Sequence, residues 1–234
     1  MIRRLLDLVW PRDCEVCSRP VDRPGRHICS ECLMRLPFIP VDGCCRKCGC
    51  DVYRLDGEFL CEDCRVHRPG FDRVVSAMRF EGDARRMLLD YKFNSHLWMR
   101  NDFVDWLEGA ARARFNLGEI DLVLPMPLRL WYRFDRGYNQ CDYLAGELAR
   151  RLDLPFDKRV LKRTGSFKRQ SSLSEDERRE NVKGTIVVRY PNKVKDKTVL
   201  VVDDVMTTGA TLSECAKALK AAGCARVCCI TLLR

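Results

Sequence analysis

Residues 198–213, TVLVVDDVMTTGATLS, constrain what this chain can fold into more than any other stretch. Val199 to Val202 form an apolar, β-branched run of the kind buried in a parallel sheet. Two adjacent carboxylates, Asp203 and Asp204, close that run, and a loop of small residues follows with Thr207, Thr208, Gly209 and Thr211. The loop opens a helix whose apolar face is Leu212, Cys215, Ala216, Leu219 and Ala222, at steps of three and four. A helix N-terminus presents unpaired N–H groups and the positive end of its dipole, which attract a phosphate, and threonine hydroxyls add donors. Carboxylates at a strand end accept hydrogen bonds from sugar hydroxyls and lie where open α/β sheets place ligands. The pattern predicts a site for a phosphorylated, hydroxylated ligand. Its bland alternative is a turn whose threonines only cap the helix. No G-x-x-x-x-G-K-[ST] occurs, so the loop is not a P-loop.

Length and composition set the frame around this motif. The chain has 234 residues, 46% of them hydrophobic and 32% charged, enough for one α/β domain and a smaller module. No apolar run approaches the ~20 residues that span a bilayer. The start, MIRRLLDLVWP, is broken by Asp7 and Pro11 too early for a secretory core; Ile2, Leu5, Leu6 and Val9 would line one face of a short helix docked on the protein. The net charge of +9, from 42 Lys and Arg against 33 Asp and Glu, suits an anionic partner without choosing between a polyphosphate and nucleic acid. Fifteen cysteines without a secretion signal indicate a reducing, cytoplasmic setting and metal binding instead of disulfides.

Ten of those cysteines fall before residue 65. Four C-x-x-C knuckles, Cys14/Cys17, Cys29/Cys32, Cys45/Cys48 and Cys61/Cys64, are separated by 11, 12 and 12 residues. Two knuckles complete one tetrahedral four-thiolate zinc site, so eight thiolates predict two zinc ions. Pairing in sequence order is the simplest arrangement, and a cross-braced one stays open. Cys44 and Cys50 flank the third knuckle and could substitute for a ligand, although both read as bystanders. Closed all-cysteine sites are folding staples, and this segment has too little apolar material to fold without one. Residues 1–69 are therefore read as a double zinc-ribbon module and 70–234 as the α/β domain.

After Pro69-Gly70 the periodicity becomes that of alternating strands and helices. Strands are predicted over 73–80, 120–124, 185–189 and 227–233, the last two completing the sheet. Helices are predicted over 83–93, 97–115 and 138–152, with Ala84, Met87, Leu88 and Tyr91 inward on the first and Cys141, Leu144, Ala145, Leu148 and Leu152 on the last. Between them lies a basic turn with Arg129, Arg133 and Arg136, followed by Gly137-Tyr138-Asn139-Gln140. Residues 162–184 are polar and charged, the composition of a mobile loop or active-site lid.

The acidic pair and T-T-G-x-T loop resemble the phosphoribosyl pyrophosphate (PRPP) loop of type I phosphoribosyltransferases. The resemblance implies that fold, a mainly parallel sheet flanked by helices. It further implies that Asp203 and Asp204 hold the ribose hydroxyls while Val205, Met206, Thr207, Thr208, Gly209, Ala210 and Thr211 wrap the 5-phosphate. Arg133 and Arg136 stand where that family keeps its pyrophosphate loop, with Arg129 less favoured, and guanidinium forks suit a polyanion. Lys162, Arg163 and Gln170 would reach phosphate or acceptor from a lid, with Arg178 and Asn181 holding it closed. The double zinc ribbon, the R-G-Y-N-Q segment, the run Gln170, Leu173, Arg178, Asn181, Gly184 and the PRPP loop together make the chain similar to the ComF (ComFC) family, associated with natural competence and DNA uptake.

That resemblance implies a PRPP-binding transferase that uses magnesium and releases pyrophosphate, with Asp203, Asp204, Arg133 and Arg136 at the reacting centre. It implies no defined acceptor, and the cysteine head replaces the base-binding hood of other members in sequence position. The alternative reading is a non-catalytic competence factor that binds single-stranded DNA or a competence helicase and uses PRPP as a regulatory ligand. None of His27, His67 or His96 is a convincing general base.

Overall fold

Four strands run parallel in the order β1–β6–β5–β2, where β1 is Arg73–Met78, β2 Leu122–Pro125, β5 Thr198–Val205 and β6 Arg226–Leu233. The computed structural model describes residues 12–51, 59–94, 96–128, 139–164 and 181–234. Strands β2, β5 and β6 are buried on both faces along most of their length, which is why their sequences are continuous apolar runs without alternation. Helices α3 (Gly82–Phe93), α4 (Arg100–Arg114) and α5 (Gln140–Leu152) cover one face. Helix α6 (Ala210–Ala221) covers the other. The inward residues predicted for α3 and α5 are all buried. Leu88, Leu144 and Leu148 are wholly enclosed, each worth ~1.5–3 kcal/mol of burial.

One predicted strand leaves the main sheet. Residues 186–188 form β4 (Ile186–Val188), which pairs antiparallel with β3 (Leu161–Arg163) in a two-stranded ribbon instead of completing the parallel sheet. Periodicity could not place it, because three residues with one buried side chain carry no sign of their partner. The ribbon also removes Lys162 and Arg163 from the predicted loop and sets them on a strand. Residues 165–180, and with them Gln170, Leu173 and Arg178, lie outside the described residues, as does the N-terminal helix face.

The cysteine-rich segment clasps the β1 edge of the sheet. Ile39 N–H donates to Ala77 O at 3.0 Å, Arg79 N–H to Pro37 O at 2.9 Å and Val74 N–H to Lys47 O at 2.7 Å. These bonds satisfy an edge that would otherwise be open to pairing with another chain. Cys14, Ile28, Cys29, Cys32 and Leu36 join the core on the α3–α5 face. Cys45, Cys48 and Cys64 join the core on the α6 face. Polar contacts fasten the clasp. Asp102 of α4, fully buried, accepts from His27 Nδ1 at 3.2 Å and from His27 N–H at 3.3 Å. Arg26 pairs with Asp105 and Arg79 with Asp51, while Arg234 donates to Cys48 O. No helix among the described residues is long and apolar enough to cross a membrane.

Candidate functional site

The strand predicted to stop before the acidic pair runs through it: Asp203 lies opposite Thr231 and Val205 opposite Leu233. Both carboxylates are thus fixed by the ladder at the carboxyl edge of the sheet. There they open onto a cleft of about 420 Å³ whose lining includes Phe80, Lys92, Met126, Asn139, Cys141 and Thr207. Asp203 Oδ1 accepts from Asp204 N–H at 2.9 Å and from the Cys141 thiol at 3.5 Å. Asp204 pairs with Lys92 Nζ at 2.8 Å. Burial first, and then the neighbouring Asp204 charge, push the Asp203 carboxyl up to about 7. The same causes, burial followed by the two carboxylates, hold the Cys141 thiol well above its ordinary range.

Past Val205 the chain turns sharply into α6. Met206 N–H donates to Leu233 O at 2.9 Å, and Met206 and Ala210 are buried, so these two offer the site their backbone only. Thr207 is exposed and lines the cleft, while Thr208 and Thr211 are half-buried. Thr208 Oγ1 accepts from Ala210 N–H at 3.4 Å, the capping bond that the bland reading expects. Among the described residues the N–H groups of Thr207, Thr208 and Gly209 donate to no protein group, which leaves donors directed by the turn.

Gly209 sits at φ +71°, in the left-handed region, and a Cβ there would lie 2.7 Å from Met206 Cε. A side chain in that conformation costs ~1–2 kcal/mol. The expected result for Gly209→Ala is a melting temperature lower by ~2–8 °C, measured by differential scanning fluorimetry; an unchanged value would show that the turn relaxes freely.

Arg129, Arg133 and Arg136 lie outside the described residues. Their flanks converge on the cleft: Asn139 caps α5 by accepting from Cys141 N–H at 3.2 Å and donates to Met126 O at 3.1 Å, bringing the two ends of that turn together. Beyond residues 165–180, Gly184 N–H donates to Glu214 of α6 at 2.7 Å. Sequence reasoning missed Lys92 and the site role of Cys141. Cys141 was read as one more apolar position of α5. Lys92 follows the buried Tyr91 at the end of α3 and carries no local mark of its partner, 112 positions away. None of the described cysteine-module residues lines the cleft, whose side wall is Phe80, Leu89 and Phe93 around α3. The described part of the module therefore does not stand over the cleft as a hood would. None of the three histidines lines it either.

The cysteines assemble in sequence order, which excludes cross-bracing. Cys14, Cys17, Cys29 and Cys32 form one cluster and Cys45, Cys48, Cys50 and Cys61 the other, with all sulfurs in each within 4.8 Å. Four zinc–sulfur bonds of about 2.3 Å in a tetrahedron place sulfurs about 3.8 Å apart. Cys17 and Cys29 are 3.8 Å apart and Cys48 and Cys61 3.6 Å, so the thiols fit zinc and are too distant for disulfides. Backbone N–H groups of Cys29 and Cys61 point at Cys14 and Cys45 sulfurs at 3.4 Å in each, as thiolates require. Arg19, 3.4 Å from Cys17, pulls that thiol down to about 6. Of the two flanking cysteines that read as bystanders with a ligand role left open, Cys50 belongs to the second cluster. Cys64 is buried against Cys48 and Cys61 from α2 (Glu62–His67), outside that mutual set of four. Cys44 turns away to Pro40 O.

Residues 139–234 match the phosphoribosyl transferase domain family, and residues 5–65 match the double zinc ribbon domain family. Competence protein F of Haemophilus influenzae is 28% identical over 214 residues, covering 90% of this chain and 91% of that protein. DNA utilization protein YhgH of Escherichia coli K12 is 27% identical over 227 residues, with 94% and 96% covered. The YhgH protein of Salmonella typhi is 29% identical over 232 residues at the same coverage. With its double zinc ribbon clasping a phosphoribosyl transferase domain, the chain is similar over nearly its whole length to competence protein F and the YhgH proteins.

Proposed function

We propose that the cleft binds PRPP and that the chain is a phosphoribosyltransferase of the ComF type, transferring phosphoribosyl to an acceptor with release of pyrophosphate. One observation carries this reading: an acidic pair held on the ladder beside a Gly209 turn with free N–H donors, both facing one cleft. The carboxylates of Asp203 and Asp204 accept the ribose hydroxyls, and the 207–211 turn takes the 5-phosphate at the N-terminus of α6. Lys92 already neutralises Asp204 and stands ready to share its charge with the incoming polyanion. Arg133 and Arg136 take the departing pyrophosphate, so that catalysis rests on leaving-group stabilisation and positioning of the acceptor. Magnesium, a hard cation with a preference for oxygen, fits the two carboxylates and PRPP itself but not the Cys141 thiol. When bound it would offset the charge of the pyrophosphate. The names of the relatives support a role in DNA utilization or uptake.

Calorimetry with PRPP and Mg²⁺ tests the binding; no heat and no thermal shift at millimolar PRPP would sink it. PRPP-dependent pyrophosphate release across a metabolite mixture then tests turnover. A pH series adds a sharper check. An ionised carboxylate accepts ribose hydroxyls through both oxygens, more strongly than a protonated one, and burial holds Asp203 near 7. Affinity is therefore expected to rise about tenfold from pH 6 to 8 and level off above. The unliganded fold shows the opposite trend, losing stability as pH climbs from the unfolded carboxyl value toward 7, because the native state holds that proton more tightly. A flat dissociation constant across pH 6–8 would contradict the assignment of Asp203.

A further inference from the structure

The first and third knuckles are copies of one turn, and they differ at one chemically decisive position. Cys14 N–H donates to Arg19 O at 2.8 Å, and Cys45 N–H to Cys50 O at 2.7 Å. Ser18 N–H donates to Cys14 O and Gly49 N–H to Cys45 O, both at 2.8 Å. Ser18 lies at φ 56° and Gly49 at φ 69°, so the chain bends alike in both. The next residue is Arg19 in the first copy, a cation donating to Cys17. In the second copy it is Cys50. Its position is held firmly, since a Cβ on Gly49 would sit 2.6 Å from Val74 O of the edge strand.

The second site consequently gathers five thiols where a tetrahedral ion takes four. Cys45, Cys48, Cys50 and Cys61 lie within 4.8 Å of one another, and Cys64 is buried against Cys48 and Cys61. The first site has four, with Arg19 where a fifth would stand.

We propose that Cys50 and Cys64 compete for the fourth position on the second zinc, and that the thiol left over makes this ion, unlike the first, releasable by a hydroperoxide. The uncoordinated thiol is oxidised to a sulfenic acid, with one peroxide oxygen transferred and water (from hydrogen peroxide) or an alcohol (from an organic hydroperoxide) released. A neighbouring ligand thiolate attacks the sulfenic sulfur, forming a disulfide and expelling hydroxide, which takes a proton from solvent. Two thiols have then given two electrons to one peroxide, and the three thiolates that remain would no longer complete the tetrahedral set that holds zinc.

The test uses the full-length protein carrying two zinc ions, with zinc measured by elemental analysis and release followed with a chromogenic chelator. Wild type is expected to give up one equivalent to hydrogen peroxide while retaining the other. Cys50→Ser and Cys50→Arg are expected to bind two ions and to release the second at least tenfold more slowly. Cys64→Ser is expected to hold two, and the double variant Cys50→Ser/Cys64→Ser one. Purification of either single variant with one ion would overturn the competition. Release from Cys50→Ser at the wild-type rate would overturn the oxidative step. Should Cys64→Ser fail to fold, the stoichiometry and release rates of the two Cys50 variants decide both points.

Discussion

Replacing both ribose-facing carboxylates, Asp203→Asn with Asp204→Asn, is expected to abolish the thermal protection given by PRPP with Mg²⁺. At a ligand concentration a hundred times the dissociation constant, a single site stabilises the native state by about 2.7 kcal/mol. For a domain of this size that is a rise of several degrees in melting temperature. The double variant should show almost none of it. An amide is uncharged and cannot accept two hydroxyl donors through both of its heavy atoms, so two ribose contacts weaken together. The change should not unfold the protein. Asp203 is a carboxyl whose ionisation the fold opposes, and the amide carbonyl at position 204 can still accept from Lys92. Two bound zinc ions and an unchanged circular dichroism spectrum would establish that the fold is intact. Full PRPP protection in that intact variant would refute the ribose assignment.

Stripping zinc with a strong chelator is expected to have a larger effect on the whole molecule, not just on its first 69 residues. Structural zinc in small peptides contributes about 10–16 kcal/mol, comparable to the ~5–15 kcal/mol that stabilises a typical domain. Here the two clusters form part of the two cores on opposite faces of the sheet. The segment between them closes the β1 edge through Pro37 and Ile39, and the knuckle Cys45–Cys48 does so through Lys47. Its loss would leave Asp102 buried on α4 without its His27 donors. Metal removal should therefore lower the main unfolding transition by more than ~10 °C, and residues 70–234 expressed alone should be unstable or aggregate through the bared edge. An independent α/β domain melting at the holoprotein temperature would show that the boundary at residue 69 separates two autonomous units.

Much of the candidate site was legible because its signals are local. The Val199–Val202 run, the acidic pair, a glycine where the turn requires positive φ and the helical face of α6 all lie within one stretch of chain. The knuckle spacing likewise implied two closed metal sites, since both ligands of a knuckle reach one ion by geometry alone. Misreadings fell where a residue's role depends on a distant partner. Cys50 looked idle because its spacing fits no knuckle, yet Gly49 and the Cys45–Cys50 backbone bond turn it inward. Residues 186–188 looked like one more strand of the sheet, although only their pairing with 161–163 decides which sheet they enter.

By itself the sequence determined the elements, the PRPP-like turn and the presence of two zinc sites, because periodicity, spacing and turn chemistry act between neighbours in the chain. Only the tertiary structure decided that the zinc ribbon is a clasp on the sheet edge, that Lys92 neutralises Asp204, that Cys141 faces Asp203 and that a fifth thiol crowds the second cysteine cluster. These contacts join residues separated in sequence, by 112 positions for Lys92 and Asp204 and by 186 for Arg234 and Cys48. Such contacts are selected by how the packed layers meet, and the local pattern on either side does not encode them.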